Sequence, residues 1–143
     1  MTPPEDIEIV RDQFAAVNDR DFARAMAHYG EGVTLFASEE SGPKAGTYEG
    51  KEAVGEWFGD WFRAFGPDYR FEITEAGELP GGLIYLLARH GGRGRASGVE
   101  VGGENAYLYR VHDGKVVQVG FYASREEALE AAALPEWSEG EVE

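Results

Sequence analysis

Between Lys51 and Phe65 the chain carries a stripe that has to be buried. Val54, Trp57, Phe58, Trp61, Phe62 and Phe65 stand at i, i+3, i+4, i+7, i+8 and i+11, the spacing of one continuous face on a 3.6-residue repeat. Gly66-Pro67 closes the helix that this spacing predicts. Beyond Pro67 the period falls to two. Tyr69 to Glu78 alternates through Phe71 and Ile73, Pro80-Gly81-Gly82 turns the chain, and Leu83 to Arg95 reads as a long strand. Ser97-Gly98 turns again, Val99 to Val111 returns, His112-Asp113-Gly114-Lys115 turns, and Val116 to Tyr122 closes a meander of about four strands. An aromatic helix followed by a meander leaves one economical burial, the stripe against the sheet.

The first third of the chain supplies more helix. Pro3 and Pro4 precede Glu5 and Asp6, a proline and acid arrangement that suits a helix N-terminus. Ile7, Val10, Phe14 and Val17 then recur at threes and fours. Asp19-Arg20-Asp21 breaks the pattern, and Asp21 caps a second short helix with Phe22, Ala25, Met26 and Tyr29 on its apolar side, stopped by Gly30 and Gly32. Val33 to Ala37 has strand composition, and Ser38 to Gly46 reads as a loop. Near the end, Ser124 followed by Glu127 makes a capping box for a helix through Ala128, Leu129, Ala131, Ala132 and Leu134, ended by Pro135. No repeat or linker interrupts the chain. The expectation is one domain over 1–143, with a core of about 5–134 and an acidic tail over 135–143.

Helices first and a meander after give the α+β class. The expected architecture is a cone-shaped barrel: a curved antiparallel sheet covered by three helices from the N-terminal half, with a short C-terminal helix. Glycines at 91, 92, 94, 98, 102 and 103 permit the bending. The open end of such a cone is a pocket.

Charge and composition remove several classes of function. With 27 acidic against 13 basic residues the net charge is −14, and the single arginine cluster, Arg89, Arg93 and Arg95, is set in a strongly negative chain, so no nucleic-acid partner is expected. Zero cysteines exclude disulfides, thiolate catalysis and cysteine-held metals. The histidines His28, His90 and His112 form no short ligand motif with acids, so no metal is expected. No apolar run approaches 18 residues, and Met-Thr-Pro-Pro-Glu-Asp has neither the basic nor the apolar region of a signal peptide. The expectation is a cytoplasmic protein with no membrane partner.

Several stretches together resemble a known family. Asn18-Asp19-Arg20-Asp21-Phe22, Tyr29 to Phe36, and Gly46-Thr47-Tyr48-Glu49-Gly50-Lys51-Glu52-Ala53-Val54 are similar to the opening of SnoaL-like proteins of the nuclear transport factor 2-like superfamily. Gly92 to Glu100, His112 to Val117 and Ser124 to Ala131 resemble the ketosteroid-isomerase-like branch. The resemblance covers about residues 5 to 134. It implies the cone, a homodimer through the outer sheet face, and an apolar pocket between the long helix and the sheet. It does not imply one activity, since this fold serves isomerases, cyclases, dehydratases, epoxide hydrolases and binding modules alike.

The ketosteroid isomerase reaction needs a carboxylate base and an oxyanion hole of a tyrosine and a protonated aspartate. Aligned on Tyr29 and Gly114, those positions fall on Ala37, Gln13 and Tyr107, so none of the three is retained. Glu39 and Glu40 lie nearest the missing base, in a loop where solvation is the simpler reading. The same alignment sends Ile84, Leu86, Ala88 and His90, with Asn105, Tyr107 and Tyr109, to the inner sheet face. The candidate acid or base is therefore His90 or Tyr107, weighed against local hydrogen bonding that would make them structural. Tyr29, Phe36, Trp57, Trp61, Asn105 and Tyr109 are the candidate ligand contacts, weighed against plain core packing. Arg89, Arg93 and Arg95 fall on the outer face, where Glu100 and Glu104 are candidate partners.

Three readings follow. The first is a small-molecule-binding protein taking a small hydrophobic oxygenated ligand, with cofactor-independent isomerase, cyclase or dehydratase chemistry if it turns the ligand over. The second is a non-catalytic interaction and dimerisation module whose cone is filled by its own aromatics. The third, an epoxide hydrolase, needs two acids flanking an arginine inside the cone, and the sequence supplies no such trio there.

Overall fold

The structure is a computed structural model that describes residues 3–39, 44–63, 68–93 and 100–137. Helix α1 (Pro3–Asn18) and helix α2 (Phe22–Ala27) are followed by strand β1 (Tyr29–Ala37), strand β2 (Gly46–Glu49) and helix α3 (Lys51–Arg63). Strands β3 (Arg70–Leu79), β4 (Leu83–Arg93), β5 (Glu100–His112) and β6 (Lys115–Tyr122) form the expected meander, and helix α4 (Arg125–Ala132) follows it. The sheet order is β2-β1-β6-β5-β4-β3. Neighbours are antiparallel except β1 and β6, which run parallel, so the sheet is mixed where an antiparallel one was expected. It curves without closing. The predicted turns at Glu40, Ser97 and Gly98, together with Arg95, Phe65 and the tail beyond Trp137, lie outside the described residues.

Local chemistry accounts for most of the element boundaries. Asp21 accepts from the Arg24 backbone N–H to cap α2. Gly50, at φ +94°, turns the end of β2 into α3 while its N–H bonds the Val33 carbonyl at 2.7 Å. Asp113 and Gly114, at φ +50° and +77°, make the tight β5–β6 hairpin that an Asp-Gly pair favours. At α4 the Ser124 hydroxyl accepts from the Glu127 N–H at 3.2 Å, while the Glu127 carboxylate accepts from the Ala123 N–H at 2.8 Å and from the Ser38 hydroxyl at 2.7 Å. The capping box thus also ties α4 to the end of β1.

Two boundaries differ from expectation. Strand β1 begins at Tyr29, so Gly30 and Gly32 lie within it instead of ending a helix. Pairing with β6 overrides the two glycines, and a register shift between Tyr29 and Thr34 absorbs the irregularity. Strand β2 was not expected, only its first residue, Gly46, falling in the predicted loop; four residues against an edge carry too short an alternation to be seen in sequence.

The sheet separates two buried clusters. On the inner face, under α1 and α3, lie Val10, Val54, Trp57, Ile84, Leu86, Tyr107, Tyr109 and Phe121. On the outer face Leu83, Tyr85, Leu108 and Tyr122 are covered by Ala128 and Ala131 of α4 and by Trp137. Trp137 donates to the Tyr122 hydroxyl at 3.1 Å, and buried Arg110 donates to the Trp137 carbonyl at 2.6 Å. The outer sheet face, through which the resemblance implies a dimer, is thus packed at Tyr85 and Leu108 by the chain's own C-terminal segment. Among the described residues the large apolar side chains still exposed are Phe22, Phe36, Leu129 and Leu134.

Candidate functional site

A cavity of about 610 Å³ lies between the three N-terminal-half helices and the inner sheet face. Its position follows from α3. Successive residues on a helix are 100° apart, so the aromatic stripe has two edges with different neighbours. Trp57 and Trp61 stack on one another at 5.7 Å and both meet Phe121 edge-on, at 5.3 and 5.6 Å. Phe58 and Phe62, one residue further round, line the cavity together with Gly55 and Gly59. The two glycines stand four apart and thin the helix wall there: a Cβ at Gly55 would come within 2.9 Å of the Met26 methyl, which also lines the space. Phe14, Val17 and Phe71 add apolar walls, and Arg20, Lys51, Glu52, Glu56 and Arg63 stand around the same space.

Its uncharged polar side chains are Gln13, Tyr29, Tyr107 and Tyr109. Gln13 donates to the Ala25 carbonyl at 3.1 Å and hydrogen-bonds the Tyr29 hydroxyl. Tyr107 and Tyr109 face the same way from β5, their rings 6.1 Å apart and within 18° of parallel. The edge of Phe14 packs against both. Burial pushes the hydroxyls of Tyr29, Tyr107 and Tyr109 above the ordinary tyrosine range, so all three are neutral near pH 7.

His90 belongs to a separate arrangement. The Trp61 Nε1–H donates to the Tyr69 hydroxyl at 2.8 Å, and that hydroxyl lies 2.8 Å from His90 Nδ1. Asn105 hydrogen-bonds His90 and donates to the Tyr122 carbonyl at 3.3 Å. With the Tyr69 oxygen accepting from Trp61, the short Tyr69–His90 contact suits an O–H donated to Nδ1 and a ring proton on Nε2. Desolvation lowers the His90 pKa, with the Asn105 bond acting against it. Burial is what favours the neutral imidazole, between its two neighbours.

The sequence-predicted residues therefore divide. Tyr29, Tyr107 and Tyr109 come together at the cavity. Trp57, Trp61, Asn105 and His90 pack beside it, where the inner sheet face is filled by their own contacts with Tyr69 and Phe121. Phe36 is 43% exposed on the outer face against Tyr122, because even positions of β1 point away from Val33, Leu35 and Ala37. Of the positions aligned with the isomerase machinery, Gln13 and Tyr107 line the cavity and Ala37 is buried in the core. Arg89 pairs with Glu72 on β3 at 3.2 Å, where Glu100 or Glu104 was expected. His28, expected to be exposed, is only 25% so, and its Nε2 lies 2.7 Å from Asp12.

Sequence reading missed Gln13, Phe14, Met26, Gly55, Phe58 and Phe71 as pocket residues. A signal for two of them was present. Gln13 is a polar residue inside the Val10–Val17 stripe, and Gly55 with Gly59 interrupts the most aromatic helix of the chain on a single face. No group of three or more His, Asp or Glu side chains is placed to hold a metal among the described residues. No helix among them is long and apolar enough to cross a membrane.

Comparison with solved structures gives the same architecture. Bal32a from a soil-derived mobile gene cassette superposes with a TM-score of 0.74 at 18% identity, covering 90% of this chain and 95% of its own. TerC, co-crystallised with polyporic acid, gives 0.71 at 17% identity, with 88% and 96% covered. A nuclear transport factor 2-like protein from Burkholderia thailandensis gives 0.71 at 23% identity, with 94% and 99% covered. At these identities the likeness is one of fold. No curated protein matches the sequence. Residues 10–119 match the SnoaL-like domain, a span that includes the helices, strands and tyrosines enclosing the cavity, and the chain belongs to the SnoaL-like family on the nuclear transport factor 2-like fold.

Proposed function

We propose that this protein binds a small, flat, predominantly apolar molecule carrying one or two oxygens, in the cavity between α1, α2, α3 and β5. The observation that supports this reading is the cavity itself: about 610 Å³, within the range of small-molecule sites, apolar on its walls and with its uncharged polar groups gathered at Gln13 and three tyrosines. The neighbour TerC was crystallised with polyporic acid, an organic ligand held by a protein of the same fold. Binding without turnover is favoured over isomerase, cyclase or dehydratase chemistry. The cavity's carboxylates, Glu52 and Glu56, project from exposed positions of α3, and His90 bonds Tyr69 and Asn105 elsewhere. Epoxide hydrolysis is disfavoured for the same reason, since its inner surface offers phenols and an amide where that reaction needs acids.

The test is calorimetric titration with a panel of naphthalene-sized ketones and phenols, on the wild type and on Gly55→Leu, whose side chain would project toward Met26 and into the cavity. Micromolar to millimolar binding that Gly55→Leu weakens at least tenfold, with the thermal midpoint kept, is the expected result. Absence of heat from every compound at millimolar concentration, or equal affinity in both proteins, would refute it.

A further inference from the structure

Tyr107 and Tyr109 are 3% and 2% exposed, and neither hydroxyl forms a hydrogen bond with any described residue. This is unusual in its setting. Polar groups in a protein interior nearly always find partners, and these two oxygens, not fully enclosed by protein atoms, open on the cavity. Three other phenols inside this protein do have partners: Tyr69 meets Trp61 and His90, Tyr122 meets Trp137, and Tyr29 meets Gln13. Tyr107 and Tyr109 differ from the outer-face Tyr85, whose hydroxyl also lacks a partner, in being adjacent inward positions of one strand, with parallel rings, that both line the cavity. Phenylalanine would fill the same volume without the hydroxyl, so packing alone does not call for tyrosine at either place.

We propose that Tyr107 and Tyr109 form a paired hydroxyl clamp that selects, among flat apolar molecules, those whose buried end carries acceptor oxygens of the ketone, ester or quinone type. This rests on the ligand-site reading above and adds the chemistry of selection to it. Both phenols keep their protons across the physiological range, since burial raises them well above 10, and so act as donors. Their side-by-side rings present two donors along one edge, suited to one carbonyl oxygen each. A hydrocarbon of the same shape would leave both unmet and so binds more weakly. The pair is a specificity determinant, and no proton transfer is assigned to it.

The experiment compares 2-acetonaphthone with 2-isopropylnaphthalene, near-isosteres that differ in the carbonyl, on the wild type, Tyr107→Phe, Tyr109→Phe and the double variant. Calorimetry should show the ketone preferred by the wild type roughly tenfold or more, and the preference lost in the double variant through weaker ketone binding. The carbonyl stretch of the bound, carbon-13-labelled ketone should lie at lower frequency in the wild type than in the double variant, a shift that a merely structural role would not produce. Thermal midpoints should not fall, because the hydroxyls have no protein partner to lose. Equal binding of both compounds, or a carbonyl frequency indifferent to the substitutions, overturns the clamp while leaving the ligand site standing. If neither compound binds any of the four proteins, the ligand site and the clamp fall together.

Discussion

The most informative single residue is His90, because its type suggests catalysis and its surroundings assign it to structure. An imidazole on the inner face of a conical sheet is a natural acid or base, yet Tyr69 meets its Nδ1 and Asn105 hydrogen-bonds the ring. Burial depresses its pKa from the ordinary 6.5, so the unfolded chain takes up the proton more readily than the folded one. The contribution to stability is therefore full above about pH 6.5 and declines as the pH falls below it. Nuclear magnetic resonance should find His90 titrating below 6.5 and carrying its neutral proton on Nε2. The fall in thermal midpoint between pH 7.5 and pH 5 should be smaller in His90→Gln than in the wild type, and an unchanged or larger fall would contradict the neutral, buried assignment. Sequence parity places His90, Asn105, Tyr107 and Tyr109 on one face, and the strand register agrees, with Ala88 opposite Asn105 and Leu86 opposite Tyr107. Parity cannot say which of them meets a cavity and which meets Tyr69, since that depends on a strand twenty residues earlier.

Among the elements, α3 decides the site. Its stripe was legible because burying Val54, Trp57 and Phe62 demands the 3.6 period, and both termini were marked by glycine or proline in the sequence. The rotation of the stripe over the sheet was not legible. It turns the tryptophans toward Phe121 and leaves the Gly55–Gly59 face on the cavity, so the cavity wall is Phe58 and Phe62 where Trp57 and Trp61 were expected. Glycine inside a helix is intrinsically unfavourable, and a Cβ at Gly59 would meet only the flexible end of Arg63, at 3.4 Å. Gly59→Ala is expected to raise stability by about 0.5–1 kcal/mol in chemical denaturation while weakening ligand binding. A gain in stability with affinity unchanged would show that this face is not part of the site. At α4 the same reasoning gives a loss: Ser124→Ala removes the cap on the Glu127 N–H and should cost about 1 kcal/mol.

For the whole molecule the C-terminal segment matters beyond its size. Trp137 is 3% exposed, roofs the outer sheet face, and would clash with any side chain at Gly120, whose Cβ would fall 2.8 Å from the indole. Trp137→Ala should cost about 3–5 kcal/mol and uncover Tyr85, Leu108 and Tyr122. Sedimentation velocity should then show concentration-dependent association stronger than that of the wild type. Stability close to wild type, with no added association, would mean that the roof does not shield this face. The net charge of −14 belongs to this scale too. The acids lie mainly on exposed helix and strand positions, while the cavity's enclosed polar groups are uncharged, so the charge governs solubility and repulsion more than recognition.

The sequence by itself determined the periods. It set four helices and the meander with its Asp-Gly hairpin, because each of these is written in neighbouring residues; the inner faces of β4 and β5 and the isomerase base position at Ala37 were implied by the family resemblance. Only the tertiary structure decided what those faces meet. The parallel junction of β1 with β6, the covering of the outer face by α4 and Trp137, and the division of the inner face into a filled aromatic half and an open half lined by tyrosines all join residues remote along the chain. Contacts at that separation leave no local periodicity; they are fixed when the aromatic side chains of α3, β3, β5 and β6 pack into one volume, and the space they fail to fill becomes the site.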